Sequence, residues 1–269
     1  SLGVTTDFLL GENNKGLKKG INQRIYSKSY RKYAGKYNLY FYGTVNCESG
    51  TVTVATLEIN FAKEEAVTMK IATSEGGEKL YYGDLQISEM SPNVFIVLNS
   101  DFGEQVSLTF YDEPMNCETF QCAVGAMLSI SAGDLKRAPV LNRFIITGYD
   151  VDEAHMKFIK AHLKLNTKYI DISPEMLSTS VEGVFGKCEM ADRITDRLKK
   201  AFYSKRYYAI EDSFIVNTLR KDENLSLRQA DELIAELRNN SLSNINFKIN
   251  KSLDSTVYRC TNPKNISQE

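Results

Sequence analysis

Few residues in this chain have the type and spacing that chemistry needs. The only two histidines, His155 and His162, lie seven apart on a stretch with helical periodicity. That is two turns, too long for the i, i+4 pair with which a single helix holds a metal. They read as half-buried structural residues sharing a face with Phe158 and Ile159. The five cysteines (Cys47, Cys117, Cys122, Cys188, Cys260) are odd in number and irregular in spacing, with no C-x-x-C pair. This disfavours a disulfide framework or a zinc ribbon and points to a reducing, cytoplasmic setting. Cys117 and Cys122 are the one pair close enough to join across a loop. There is no G-x-S-x-G, H-E-x-x-H, P-loop or G-x-G-x-x-G motif. Thirty-four Asp and Glu always allow some pair to meet, so carboxylate chemistry is not decided by counting. The expectation is a protein that is not an enzyme, with no metal and no cofactor.

Charge is more informative. The net charge of -1 conceals a run from Asn13 to Cys47 with eight basic residues and no acidic one. Within it, Lys15, Lys18, Lys19, Arg24 and Lys28 are candidate contacts to a nucleic-acid backbone, which would add affinity and salt dependence without sequence specificity. Residues 48–150 carry 6 basic and 15 acidic residues, so the middle of the chain is not expected to lie on nucleic acid. A solvated basic linker is the alternative reading of the run.

The elements that would position these residues follow from periodicity. In residues 12–34, Leu17, Ile21 and Ile25 recur at i+4, with Tyr26, Tyr30 and Tyr33 roughly opposite. The pattern suggests a linker helix from Leu17 to Tyr33 packed between two bodies, or an irregular linker tethered by its aromatics. From Gly35 to Gly148 the period becomes two. Tyr37, Leu39 and Phe41 alternate with Asn38, Tyr40 and Tyr42, and eight strand candidates end in turn signals. The expected fold class is α+β: an eight-stranded antiparallel β-barrel or curled sheet over residues 35–148, lipocalin-like in outline, followed by an α-rich region, 149–269. Gly35-Lys36-Tyr37 is similar to the G-x-W opening of lipocalin-type barrels, with Tyr in place of Trp. Such a barrel can be filled or hold one small ligand. Tyr40, Tyr42, Tyr81 and Tyr82 could line its mouth, or cover its outer face and pack on the C-terminal helices.

In the last third, Val151–Leu163 reads as a helix. Ser173-Pro174 is an N-cap followed by Pro at N1. Met190, Ile194, Leu198, Ala201 and Phe202 form a second amphipathic stripe. Ser226-Leu-Arg-Gln229 is a capping box opening a helix with Leu227, Ala230, Ile234 and Leu237 on one side. Asn246–Ile249 and Thr256–Cys260 suggest a closing hairpin. No run approaches the ~18 apolar residues of a membrane span.

The first eleven residues carry the most specific signal. Thr5 or Thr6 can cap a short helix, Phe8, Leu9 and Leu10 form its apolar side, and Gly11 can end it. L-G-V-T-T-D-F-L-L-G resembles the closing segment of Xre-type, lambda-repressor-like helix-turn-helix domains. The resemblance implies that residues 1–11 are the end of a DNA-binding domain whose reading helices lie upstream, with Leu2, Val4, Phe8 and Leu9 as packing positions. It further implies double-stranded DNA as a partner, a homodimer, and a C-terminal sensing or oligomerisation part acted on by a small-molecule or protein effector. A lipocalin-like ligand-binding module without DNA binding is the rival expectation.

Overall fold

The computed structural model describes residues 28–44, 50–73, 76–88, 91–112, 120–131, 137–165, 169–202 and 207–248. A single turn of helix, α1 (Lys28–Arg31), leads into eight strands: β1 (Gly35–Tyr42), β2 (Val52–Ile59), β3 (Val67–Ala72), β4 (Glu78–Ile87), β5 (Asn93–Asn99), β6 (Gln105–Tyr111), β7 (Cys122–Ile130) and β8 (Pro139–Thr147). Each pairs antiparallel with the next, and β8 returns to β1 with Phe41 opposite Phe144, so the barrel is closed. The eight strands are those the alternation predicts.

Period-two patterning sorts the side chains. Leu39, Leu57, Met69, Leu85, Ile96, Leu108, Met127 and Phe144 point inward and are fully buried in one cluster. Two inward glycines let the walls close. A Cβ on Gly83 would sit 1.9 Å from the Val97 carbonyl oxygen. One on Gly125 would meet the Thr109 carbonyl at 2.3 Å and the Phe144 ring at 2.5 Å. Only glycine permits such backbone approach at tight curvature.

The segment after α1 closes one end. Tyr33 is fully buried against Phe110 and Phe120, and its hydroxyl donates to Asp112. Tyr30 packs edge-on to Phe61, and its oxygen accepts from the Ile87 amide at 3.2 Å. Lys32 pairs with Asp112 at 2.7 Å. Of the linker helix expected over Leu17–Tyr33, Lys28–Arg31 is helical; the part before Lys28 lies outside the described residues.

After the barrel, a 3-10 turn (Glu153–His155) enters α2 (Met156–Leu163). Then come β9 (Tyr169–Ile172), α3 (Pro174–Phe185), α4 (Glu189–Ala201), β10 (Tyr208–Glu211) and α5 (Asp212–Phe214). A π-helical turn (Ile215–Leu219), α6 (Arg220–Asp222) and α7 (Leu227–Asn239) follow. The expected caps are present. Ser173 accepts from the Met176 amide at 3.3 Å with Pro174 next to it, and Ser226 and Gln229 form a full capping box. β9, β10 and these helices enclose a separate core that includes Ile170, Leu177, Ile194, Leu198, Ile215 and Leu233.

The closing hairpin is corrected in part. Asn246–Lys248 is a strand, β11, but it pairs with Asn142–Val140 of β8. β1 reaches β8 only over Phe144–Thr147, which leaves the first half of β8 open on that edge, and β11 fills it. The C-terminal region therefore returns to the barrel. Residues 256–260 lie outside the described residues, as does Cys117 of the suggested Cys117–Cys122 pair.

Candidate functional site

The α2 helix is wedged between the barrel and α7. Its inner side, Ile159 and Leu163, packs on Tyr40, Tyr42 and Ile145 from the outer faces of β1 and β8. This is why Leu39–Tyr42 and Phe144–Thr147 are buried on both strand faces. The last turn of α2 is held from several directions. The Tyr42 hydroxyl donates to the Lys160 carbonyl at 2.9 Å, and Arg143 donates to the His162 carbonyl at 3.3 Å. Lys164 runs into α7, where its ammonium donates to the carbonyls of Asn239 at 2.5 Å and Ser241 at 3.3 Å. Burial holds the Lys164 ammonium down at about 8 and pushes the Tyr42 phenol up to about 12. Burial, and after it the charge of Arg238, lowers Arg143.

On the other side of α2 lies an open groove of about 950 Å³. His155, Phe158 and His162 form one wall. Asp212 and Val216 come from α5 and the π-helical turn, and Leu227, Arg228, Asp231 and Ile234 from α7. The histidine face is thus split. Ile159 faces the barrel, and both histidines are exposed rather than half-buried, on the side of α2 that lines the groove. Leu227 likewise departs from its stripe: it is 55% exposed and belongs to the groove wall.

The polar groups of the groove are oriented. Nδ1 of His162 lies 2.8 Å from the Phe158 carbonyl, which can only accept, so Nδ1 carries the proton and Nε2 of the neutral ring is an acceptor. Nδ1 of His155 is bound to the Asp152 carboxylate at 2.5 Å, and its ring stacks on Phe158. Asp212 gives one oxygen to Arg238. Its other oxygen, Oδ1, is buried and has no hydrogen-bond partner. The π-turn, a helical distortion often found where function needs a side chain displaced, brings Val216 to the groove beside it. Apolar walls with a few fixed polar groups suit a ligand or peptide of mixed character. Among the described residues no group of His, Cys, Asp and Glu is arranged to hold a metal.

The four tyrosines named from sequence do not form one mouth. Tyr40 and Tyr42 are outside the barrel, beneath α2. Tyr81 points inward, where its hydroxyl donates to Glu104 at 2.7 Å. Tyr82, next to it on the strand, faces the opposite way and is half-buried. Alternation places neighbouring strand residues on opposite faces, so the pairs Tyr81 and Tyr82 could not have met in one pocket. Lys15, Lys18, Lys19 and Arg24 lie outside the described residues, and Lys28 opens α1.

Two features escaped the sequence reading. Glu104 gathers Tyr81, Lys79 at 3.3 Å and Arg137 at 2.7 Å at the barrel end opposite α1. The Tyr81 hydrogen bond foremost, then the two cations, hold its carboxyl below the usual range despite burial. Asn142, fully buried and inward-facing on β8, has no hydrogen-bond partner for either amide atom. No sequence signal marks it beyond a polar residue in an inward register.

Comparison with protein-family models, with curated proteins and with solved structures returned no match to this chain.

Proposed function

We propose that this chain is the sensing and oligomerisation part of a DNA-binding transcriptional regulator. One observation carries the reading. The Xre-like segment and the basic run lead directly into α1, and α1 is followed at once by Tyr33, locked into the end of a closed barrel. If the helix read over Leu17–Tyr33 extends back from α1, a DNA-reading head before it would have its orientation tied to the barrel. The groove beside α2 is the candidate effector site. An effector that binds one setting of α2 better would shift the population of head geometries, and hence operator affinity, by its differential affinity alone. The basic run would add phosphate contacts.

The rival, a carrier of a small apolar ligand within the barrel, has less support. Side chains from all eight strands fill the interior, and the end beside α1 is closed by Tyr33, Phe110 and Phe120.

The test is duplex binding by the full product of the gene against binding by residues 1–269. The full product should select a specific duplex, with affinity falling steeply as salt rises. The 269-residue chain should bind weakly and without preference. Equal operator binding by the two, or no selectivity in the full product, overturns the reading.

A further inference from the structure

The outer wall of the barrel is divided. On β2–β4 it carries Glu58, Lys70 and Asp84. On β5–β8 the only charged outward residue is Arg143, at the far edge. The register puts Val97, Ser107, Leu128 and Leu141 in one row across four strands. Phe95 and Ile130 belong to the rows on either side, and Val124 lies one row beyond that of Phe95. The six apolar members of this set are 39–50% exposed. The α2 helix covers the seam between β1 and β8 and leaves this face open.

The geometry points to a second copy of this chain as the occupant of this face. Three features select it over other partners. First, size: at ordinary side-chain areas the apolar residues and their neutral neighbours offer on the order of 700 Å². That approaches the ~800 Å² each partner gives a standard interface. Second, an uncharged surface is matched by another uncharged surface, and the chain itself supplies one. Third, the charges stand at the margins: Asp84 on β4 lies beside Val97, and Arg143 on β8, two residues from Leu141, is half-buried and donates to the His162 carbonyl, so the middle of the face holds no charge that must stay in water. A two-fold axis along the strands lays the apolar rows of the two copies face to face, with the charged margins left at the rim. The contact would set the spacing of anything attached before α1, but it does not depend on DNA binding and can hold or fail separately.

The test is the mass of the 269-residue chain in solution, by sedimentation over a concentration series. The wild type should be a dimer at micromolar concentration. Leu128→Glu and Val97→Lys, each at an exposed position, should weaken it by at least ~100-fold while circular dichroism and the unfolding midpoint stay unchanged. A photo-reactive residue at Tyr111, on the edge of the face, should cross-link to β5–β8 of a second copy. A monomeric wild type, a dimer indifferent to both substitutions, or an intramolecular cross-link to residues 249–269 overturns the proposal. The last result would show that the chain's own C-terminal segment covers the face.

Discussion

The Tyr42 hydroxyl donates to the Lys160 carbonyl across 2.9 Å, and this bond joins the outer face of the first barrel strand to the last turn of α2. It occupies a helix-terminal carbonyl that has no partner within the helix. Tyr42→Phe should therefore cost about 1 kcal/mol by urea denaturation. Burial raises the phenol to about 12 from its ordinary 10. A raised folded value means the contribution is complete below pH 10 and is lost as pH climbs through 12. The wild type's advantage over Tyr42→Phe should hold to pH 10 and shrink above it. A constant difference to pH 12 would contradict the burial of this group.

Lys164 gives a pH dependence of the other sign. Its folded value is depressed to about 8 against an ordinary 10.5. Between those limits the unfolded chain holds more protons, so the Lys164 term favours folding increasingly as pH rises. The stabilisation is largest above 10.5 and is lost as pH falls through 8. Comparing wild type with Lys164→Met from pH 7 to 10.5 should show a difference that moves in favour of the wild type. Parallel curves would mean that the ammonium is solvated.

Gly125 and Gly83 are steric requirements of barrel closure. Gly125→Ala places a methyl group on the Thr109 carbonyl and the Phe144 ring, and should cost about 2–3 kcal/mol. Gly50→Ala is the control for an open site: among the described residues nothing lies within 4 Å of the added carbon, and its positive φ of 61° sets a smaller backbone cost of about 1 kcal/mol. Thermal unfolding of both variants checks the order.

Asn142 tests how the barrel interior is satisfied. An amide with neither atom bonded carries a desolvation cost of about 1–3 kcal/mol. Asn142→Val, apolar and larger by only about one methylene, should be neutral or stabilising. A loss above ~1 kcal/mol would mean that a bound molecule supplies the missing bonds.

Much of this was legible in the residues. Strict alternation, as in Val94–Leu98 and Val106–Phe110, identified all eight barrel strands, because a half-buried strand must segregate its side chains by parity. Ser173-Pro174 and Ser226–Gln229 marked helix starts for an equally local reason: the capping group and the amide it accepts from lie within three residues. The site was less legible. His155, Phe158, Ile159 and His162 share helical spacing, yet Ile159 serves the barrel and the others a groove. Periodicity assigns a face and is silent on what the face meets. Leu227 reads as a core leucine and no motif marks Asp212, and only the folding of α2, α5 and α7 around one groove brings both to His162.

The residues alone specify the eight barrel strands, the four longer C-terminal helices, the change of period at Gly35 and the concentration of positive charge around it. Local sterics and the separation of polar from apolar side chains act over a few residues, so they are written in consecutive positions. Closure of β8 onto β1, the return of β11 to the barrel, the seating of α2 over Tyr40 and Tyr42, and the uncharged face of β5–β8 were decided only in three dimensions. Each brings together residues far apart in the chain, and the energy that selects it comes from packing among surfaces that no single segment contains.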